Sequence, residues 1–125
     1  MPDIRILLAE DEEAMRAYLH RALEKAGYEV VSVDRGTDAL PKLEEEHFDL
    51  LLSDIVMPEM DGITALRKLQ QDEATRHIPV IMLTALSGDS DRRIYGELGA
   101  TWLISKPFDL MALPNQVETI MGWTS

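Results

Sequence analysis

The chain has 125 residues, enough for one domain with a buried core and too few for a second. Its 23 acidic residues against 12 Lys and Arg leave a net charge of −11, which argues against nucleic acid or an anionic membrane as a partner. The absence of cysteine excludes disulfides, zinc–thiolate sites and thiol nucleophiles, and with no apolar run of membrane-span or signal-peptide length a cytoplasmic domain is expected.

Residues 4–9 (IRILLA) predict a first strand, ended by the acidic cluster Glu10, Asp11, Glu12 and Glu13. Met15, Tyr18, Leu19, Ala22 and Leu23 then recur at helical spacing, with Gly27 as the stop. Residues 28–33 (YEVVSV) are β-branched and read as a second strand. A helix follows from Gly36-Thr37-Asp38 through Leu40, Leu43 and the acidic run Glu44, Glu45, Glu46, which is read as a solvated face. Pro41 is expected near that helix's first turn, where it costs little.

Residues 49–53 form the third predicted strand, and its apolar run Leu50-Leu51-Leu52 ends in Asp54. Unbroken apolar runs bounded by turn signals mark strands buried on both faces, as in a parallel sheet. The chain then turns through Met57-Pro58 and Asp61-Gly62 into a helix with Ile63, Leu66 and Leu69 on one face. Residues 79–84 (PVIMLT) predict a fourth strand, and a loop at 87–90 opens a helix closed by Gly99. Residues 101–105 predict the fifth strand, broken by Lys106-Pro107. Asp109 is expected to cap a last helix reaching about Met121, with one backbone bond lost at Pro114. Five strands alternating with five helices specify a doubly wound α/β fold with a five-stranded parallel sheet covered on both faces.

In such a sheet, chemistry sits beyond the carboxyl ends of the strands. Those ends carry Glu10 and Asp11, then Asp54, then Thr84, then Lys106. Crowded carboxylates need a cation to stay ionised, and an all-oxygen set suits Mg2+ together with phosphate oxygens. A lysine and a hydroxyl opposite them complete a phosphoryl-transfer site, in which positioning and charge neutralisation do the catalysis.

On Glu10-Asp11, the run from Asp54 through Met57-Pro58 to Asp61-Gly62, Thr84-Ala85 and Lys106-Pro107-Phe108, the chain resembles the receiver domains of two-component response regulators. The resemblance covers essentially all of it, and the first half is similar to a single-domain, cell-cycle branch of that family. It implies a flavodoxin-like fold and a single receiver domain over residues 1–125 with no output domain. It further implies that Asp54 takes a phosphoryl group from a histidine kinase or histidine phosphotransfer protein. Asp11 and the Val56 carbonyl would bind Mg2+ with Asp54, Glu10 acting directly or through water, and Thr84 and Lys106 would hold the phosphoryl oxygens. Such a domain is no enzyme beyond its own phosphoryl transfer and autodephosphorylation, and it signals through a downstream protein the sequence does not identify. Two positions depart from the family. Glu10 stands where aspartate is commoner, and Leu103 stands where a switch Tyr or Phe precedes the lysine, so Thr84 and Leu103 become the expected switch pair.

Other readings are weaker. An aspartyl-nucleophile phosphatase of the haloacid dehalogenase type needs an acid two positions after the nucleophile, and Val56 occupies that place. A flavin or nucleotide module needs a phosphate-binding loop of N–H donors, whereas residues 10–13 are acidic. A degenerate receiver acting only as an interaction module would be expected to have lost some of these residues. His20, His47 and His77 are scattered and read as surface or boundary residues, Met57 and Met60 as gap-fillers, and Asp61 as a turn residue.

Overall fold

The computed structural model describes residues 4–54, 71–73, 75–84, 102–105, 109 and 111–123. In chain order these form β1 (Arg5–Ala9), α1 (Glu13–Lys25), β2 (Glu29–Val33), α2 (Gly36–Glu45), β3 (Leu50–Asp54), β4 (Val80–Thr84), β5 (Trp102–Ser105) and α3 (Leu113–Met121). Each strand lies within one residue of its predicted limits. The two helices expected after Gly62 and after residue 87 fall outside the described residues.

The strands make one sheet in the order β2-β1-β3-β4-β5, and every neighbouring pair is parallel. Alternation sends side chains to opposite faces, and both faces are buried, which is why the runs read as continuously apolar. On one face Leu7, Ala9, Leu51, Val80 and Met82 pack with Ala39 and Leu43 of α2 and with Phe48. On the other, Ile6, Leu8, Leu50, Leu52, Ile81, Leu83 and Ile104 meet Leu19 and Leu23 of α1 and Leu113 and Val117 of α3. Each fully buried Leu or Ile stabilises the fold by roughly 1.5–3 kcal/mol relative to exposure, so these faces fix which helix covers which side.

Gly27 ends α1 as predicted, with φ of 103°, a conformation other residues avoid. Two helix expectations are corrected. Because α2 begins at Gly36, Pro41 is its sixth residue, beyond the first turn, and cannot donate to the Thr37 carbonyl. The last helix begins at Leu113, later than Asp109 would place it. Asp109 instead accepts the Met111 N–H at 2.9 Å, closing a turn ahead of α3. Pro114 therefore falls in the first turn of α3, where no intrahelical donor is missed, and the expected lost bond does not arise. Beyond Gly122, Trp123 donates its N–H to the Glu118 carbonyl and stacks obliquely on Tyr28, ring centroids 5.7 Å apart.

Among the described residues no helix is long and apolar enough to cross a membrane.

Candidate functional site

The carboxyl edge of the sheet carries the candidate chemistry. β1 continues one residue past Ala9, since the Glu10 N–H still donates to the Val33 carbonyl of β2 at 3.1 Å. Glu10 shares the alternation of Ile6 and Leu8 and is 1% exposed, the most deeply buried carboxylate among the described residues. Its Oε2 accepts the Glu12 N–H at 3.3 Å, and its carbonyl accepts from Arg16 Nη1 at 3.1 Å. A buried carboxylate survives only where partners or a cation compensate its lost hydration. Asp11, next in the chain, is exposed.

Register places the other strand ends. β1 and β3 pair from Ile6↔Leu50 to Ala9↔Ser53, so one further step sets Glu10 level with Asp54 on the neighbouring strand. Adjacent parallel strands lie about 4.8 Å apart, which brings the two backbones close. Asp54 pairs with Leu83 of β4, and Thr84, one step on, pairs with Ser105 of β5. Lys106 follows Ser105 directly in the chain. The sheet thus gathers Glu10, Asp11, Asp54 and Thr84 at one edge. Val56 and Lys106 lie outside the described residues, as do Met57, Met60 and Asp61. Leu103 is level with Met82 inside β5, one row short of that edge.

The histidines stay apart from this edge. His20 Nδ1 bonds the Ser32 hydroxyl and its Nε2 lies 3.4 Å from Glu24, while His47 Nε2 pairs with Asp49 at 3.1 Å and His77 is exposed. Sequence reasoning missed Arg16, which ties α1 to the end of β1 beneath Glu10. Its signal was a basic residue near a helix N-terminus, where the dipole disfavours positive charge unless another contact repays it.

The family model for the response regulator receiver domain matches residues 6–118. This chain is a member of that family. CpdR, a response regulator receiver protein of Brucella abortus, is 45% identical over 120 residues, covering 94% of this chain and 96% of that protein. DivK, the polar-differentiation response regulator of Brucella ovis, is 35% identical and covers 94% of each chain. The chemotaxis response regulator CheY4 of Vibrio cholerae superposes with a TM-score of 0.88 at 27% identity, covering 95% of this chain and 99% of that one. In other relatives the receiver makes up 26% or 48% of a longer protein. The matches support the flavodoxin-like receiver reading and nothing in them favours a haloacid-dehalogenase phosphatase.

Receiver domains generally use Mg2+ in phosphorylation, and the donors at this edge fit that ion. Glu10 and Asp11 bring oxygen only, one buried and one open to water, in keeping with a hard cation that retains part of its hydration.

Proposed function

We propose that this receiver takes a phosphoryl group on Asp54 from the phosphohistidine of a histidine kinase or histidine phosphotransfer protein. In that step an Asp54 carboxylate oxygen forms the new O–P bond as the N–P bond of the donor breaks, and the released imidazole takes up a proton. Thr84 donates its hydroxyl to a phosphoryl oxygen and Lys106 supplies an opposing charge. Glu10, Asp11, Asp54 and the Val56 carbonyl would hold Mg2+, whose chemistry is to neutralise charge on the transferring group. Attack of water on the aspartyl phosphate later returns the free carboxylate and inorganic phosphate, the domain's autodephosphorylation. The reading rests on one observation above all, the strand register that sets Glu10 level with Asp54 and Thr84 one step beyond.

The domain acts on its own, in keeping with its near full-length match to CpdR and DivK, and passes its signal to a downstream protein. Phosphorylation adds about two negative charges, which draw Thr84 toward the new oxygens. Leu103, standing in place of the usual ring, shifts in response and carries the change to the partner-binding surface. Incubation with acetyl phosphate and Mg2+, followed by intact mass spectrometry, tests the acceptor. One added phosphoryl group is expected in the wild type and none in Asp54→Ala; normal labelling of the variant would refute the assignment.

A further inference from the structure

Ser32 brings a hydroxyl to a sheet face otherwise made of apolar side chains. It shares the alternation of Val30, which belongs to the cluster with Leu19 and Leu23 of α1. There the hydroxyl meets His20 Nδ1, while Nε2 of the same ring lies 3.4 Å from the Glu24 carboxylate, one turn further along α1. Ser32 is half-buried, and the His20 and Glu24 side chains are 31% and 55% exposed, so a small molecule can reach all three. The phosphoryl-transfer site uses none of them.

A hydroxyl, an imidazole and a carboxylate linked in that order are the parts of an activated nucleophile. A carboxylate at Nε2 favours the tautomer with its proton there, which leaves the Nδ1 lone pair to take the Ser32 proton. The two ring nitrogens are used in the reverse sense of the Ser-His-Asp template, and the path of the proton is the same. The strand supplies a donor for the oxyanion. The Glu29 N–H donates to the Ile4 carbonyl at 2.9 Å and the Val33 carbonyl accepts from the Glu10 N–H at 3.1 Å, so Glu29, Val31 and Val33 turn their backbone groups toward β1. Ser32, between Val31 and Val33, therefore turns its N–H away from β1. β2 is an outer strand of the sheet, so this N–H stands at an edge where no strand of the described residues lies. In the serine-protease template the nucleophile's own N–H is one of the two oxyanion donors.

We infer that Ser32 is a reactive serine that takes an acyl group from small activated acyl donors, with His20 as general base and Glu24 as a positioning residue. Ser32 Oγ bonds to the carbonyl carbon as its proton passes to His20 Nδ1, and the carbonyl π pair moves onto oxygen, facing the Ser32 N–H. That pair then returns, the bond to the leaving group breaks, and His20 gives its proton to the leaving group. The products are an ester at Ser32 and the free leaving group. The inference does not depend on Asp54 being the phosphoryl acceptor.

p-Nitrophenyl acetate is the probe, with nitrophenol release read by absorbance and the acetylated residue located by peptide mass spectrometry. The wild type should carry an acetyl group on Ser32, and Ser32→Ala should lose the fast phase of nitrophenol release. His20→Ala should slow acetylation of Ser32 by about a hundredfold, and imidazole added to the solution should restore part of the rate. A His20 that only held α1 to β2 would not be rescued in this way. Glu24→Gln should slow the reaction by less than loss of His20 does, and Glu24→Asp, which keeps the charge, should slow it least. Circular dichroism confirms that each variant is folded. Asp54→Ala should be acetylated at Ser32 like the wild type, so loss of phosphorylation with acetylation retained would sink only the acceptor assignment. Acetyl groups on lysines alone, or an unchanged Ser32 rate in His20→Ala, would overturn the reactive-serine proposal.

Discussion

Arg5 shows how much one side chain can hold together. At the sheet edge opposite Glu10, its Nη2 pairs with Glu46 at 2.8 Å and its Nη1 donates to the His47 carbonyl at 2.8 Å. The guanidinium lies 4.6 Å from the centre of the Phe48 ring, and Nε stands 3.4 Å from Glu29, an ion-pair distance without hydrogen-bond geometry. The Arg5 N–H donates to Asp49 at 2.9 Å, so the start of β1 is tied to β2 and to the segment joining α2 to β3. The expected solvated acidic face is therefore only partly right. Glu44 hydrogen-bonds Asp72, which raises its carboxyl above the ordinary value, and Glu46 belongs to the Arg5 cluster. Hydrogen bonds from Arg5 and then Lys42 hold the Glu46 carboxyl below its ordinary value. On acidification the unfolded chain takes up that proton first, so the stability Glu46 contributes is present above the ordinary carboxylate range and lost as the pH falls through its folded value. Arg5→Ala should cost about 1–2 kcal/mol from the ring stack and the His47 bond alone. Urea unfolding near neutrality and in mild acid checks this, and the variant should lose less stability on acidification. An unchanged acid dependence would separate Glu46 from Arg5.

At the scale of an element, α2 is the helix least suited to its own sequence. Pro41 lies in its interior, removes a hydrogen bond and crowds the preceding turn. Leu43 and Ala39 hold the helix on the sheet regardless, buried in the core cluster that includes Leu7 and Ala9 of β1, with Val31 and Val33 of β2 packed against it. Packing outweighs propensity here, since proline costs about 3 kcal/mol against alanine in a helix interior. Pro41→Ala should thus stabilise the protein by about 1–3 kcal/mol, readable as a higher urea midpoint with unchanged slope. No gain would mean that the surrounding turn already meets the Thr37 carbonyl by other means. α3 behaves oppositely, placing Pro114 in its first turn and ending on Gly122 at φ of 72°.

For the molecule as a whole, the acidic excess bears on stability at the edge where Mg2+ is proposed to bind. A net charge of −11 opposes compaction, and the carboxyl edge adds the buried Glu10 to the exposed Asp11 beside Asp54. A divalent ion that binds only the folded edge stabilises by mass action, about 1.4 kcal/mol at ten times its dissociation constant. Melting temperature should rise by several degrees in Mg2+ beyond the rise in NaCl of equal ionic strength. Asp11→Ala should blunt the Mg2+ part and leave the NaCl part intact. A variant that responds to Mg2+ like the wild type would remove Asp11 from the proposed ligand set.

The strands, their order along the chain and the residues at their ends were legible in the sequence. Burial on both faces makes a parallel strand a continuous apolar run, and the run stops where Glu10, Asp54 and Thr84 begin. Where α3 starts was not legible, because Asp109 caps a turn as well as a helix and only the packing of Leu113 and Val117 on the sheet chooses between them. Nor was the Arg5 cluster, which joins residues as far apart as Arg5 and Asp49, 44 positions on. The same holds for the contact of Tyr18 on α1 with Met111 in the turn ahead of α3, 93 positions on. Local pattern reports burial and turn chemistry over a few residues. Which strand lies beside which, and so whether Glu10 stands level with Asp54, was decided by packing β1 between β2 and β3 and covering both faces of the sheet with helices.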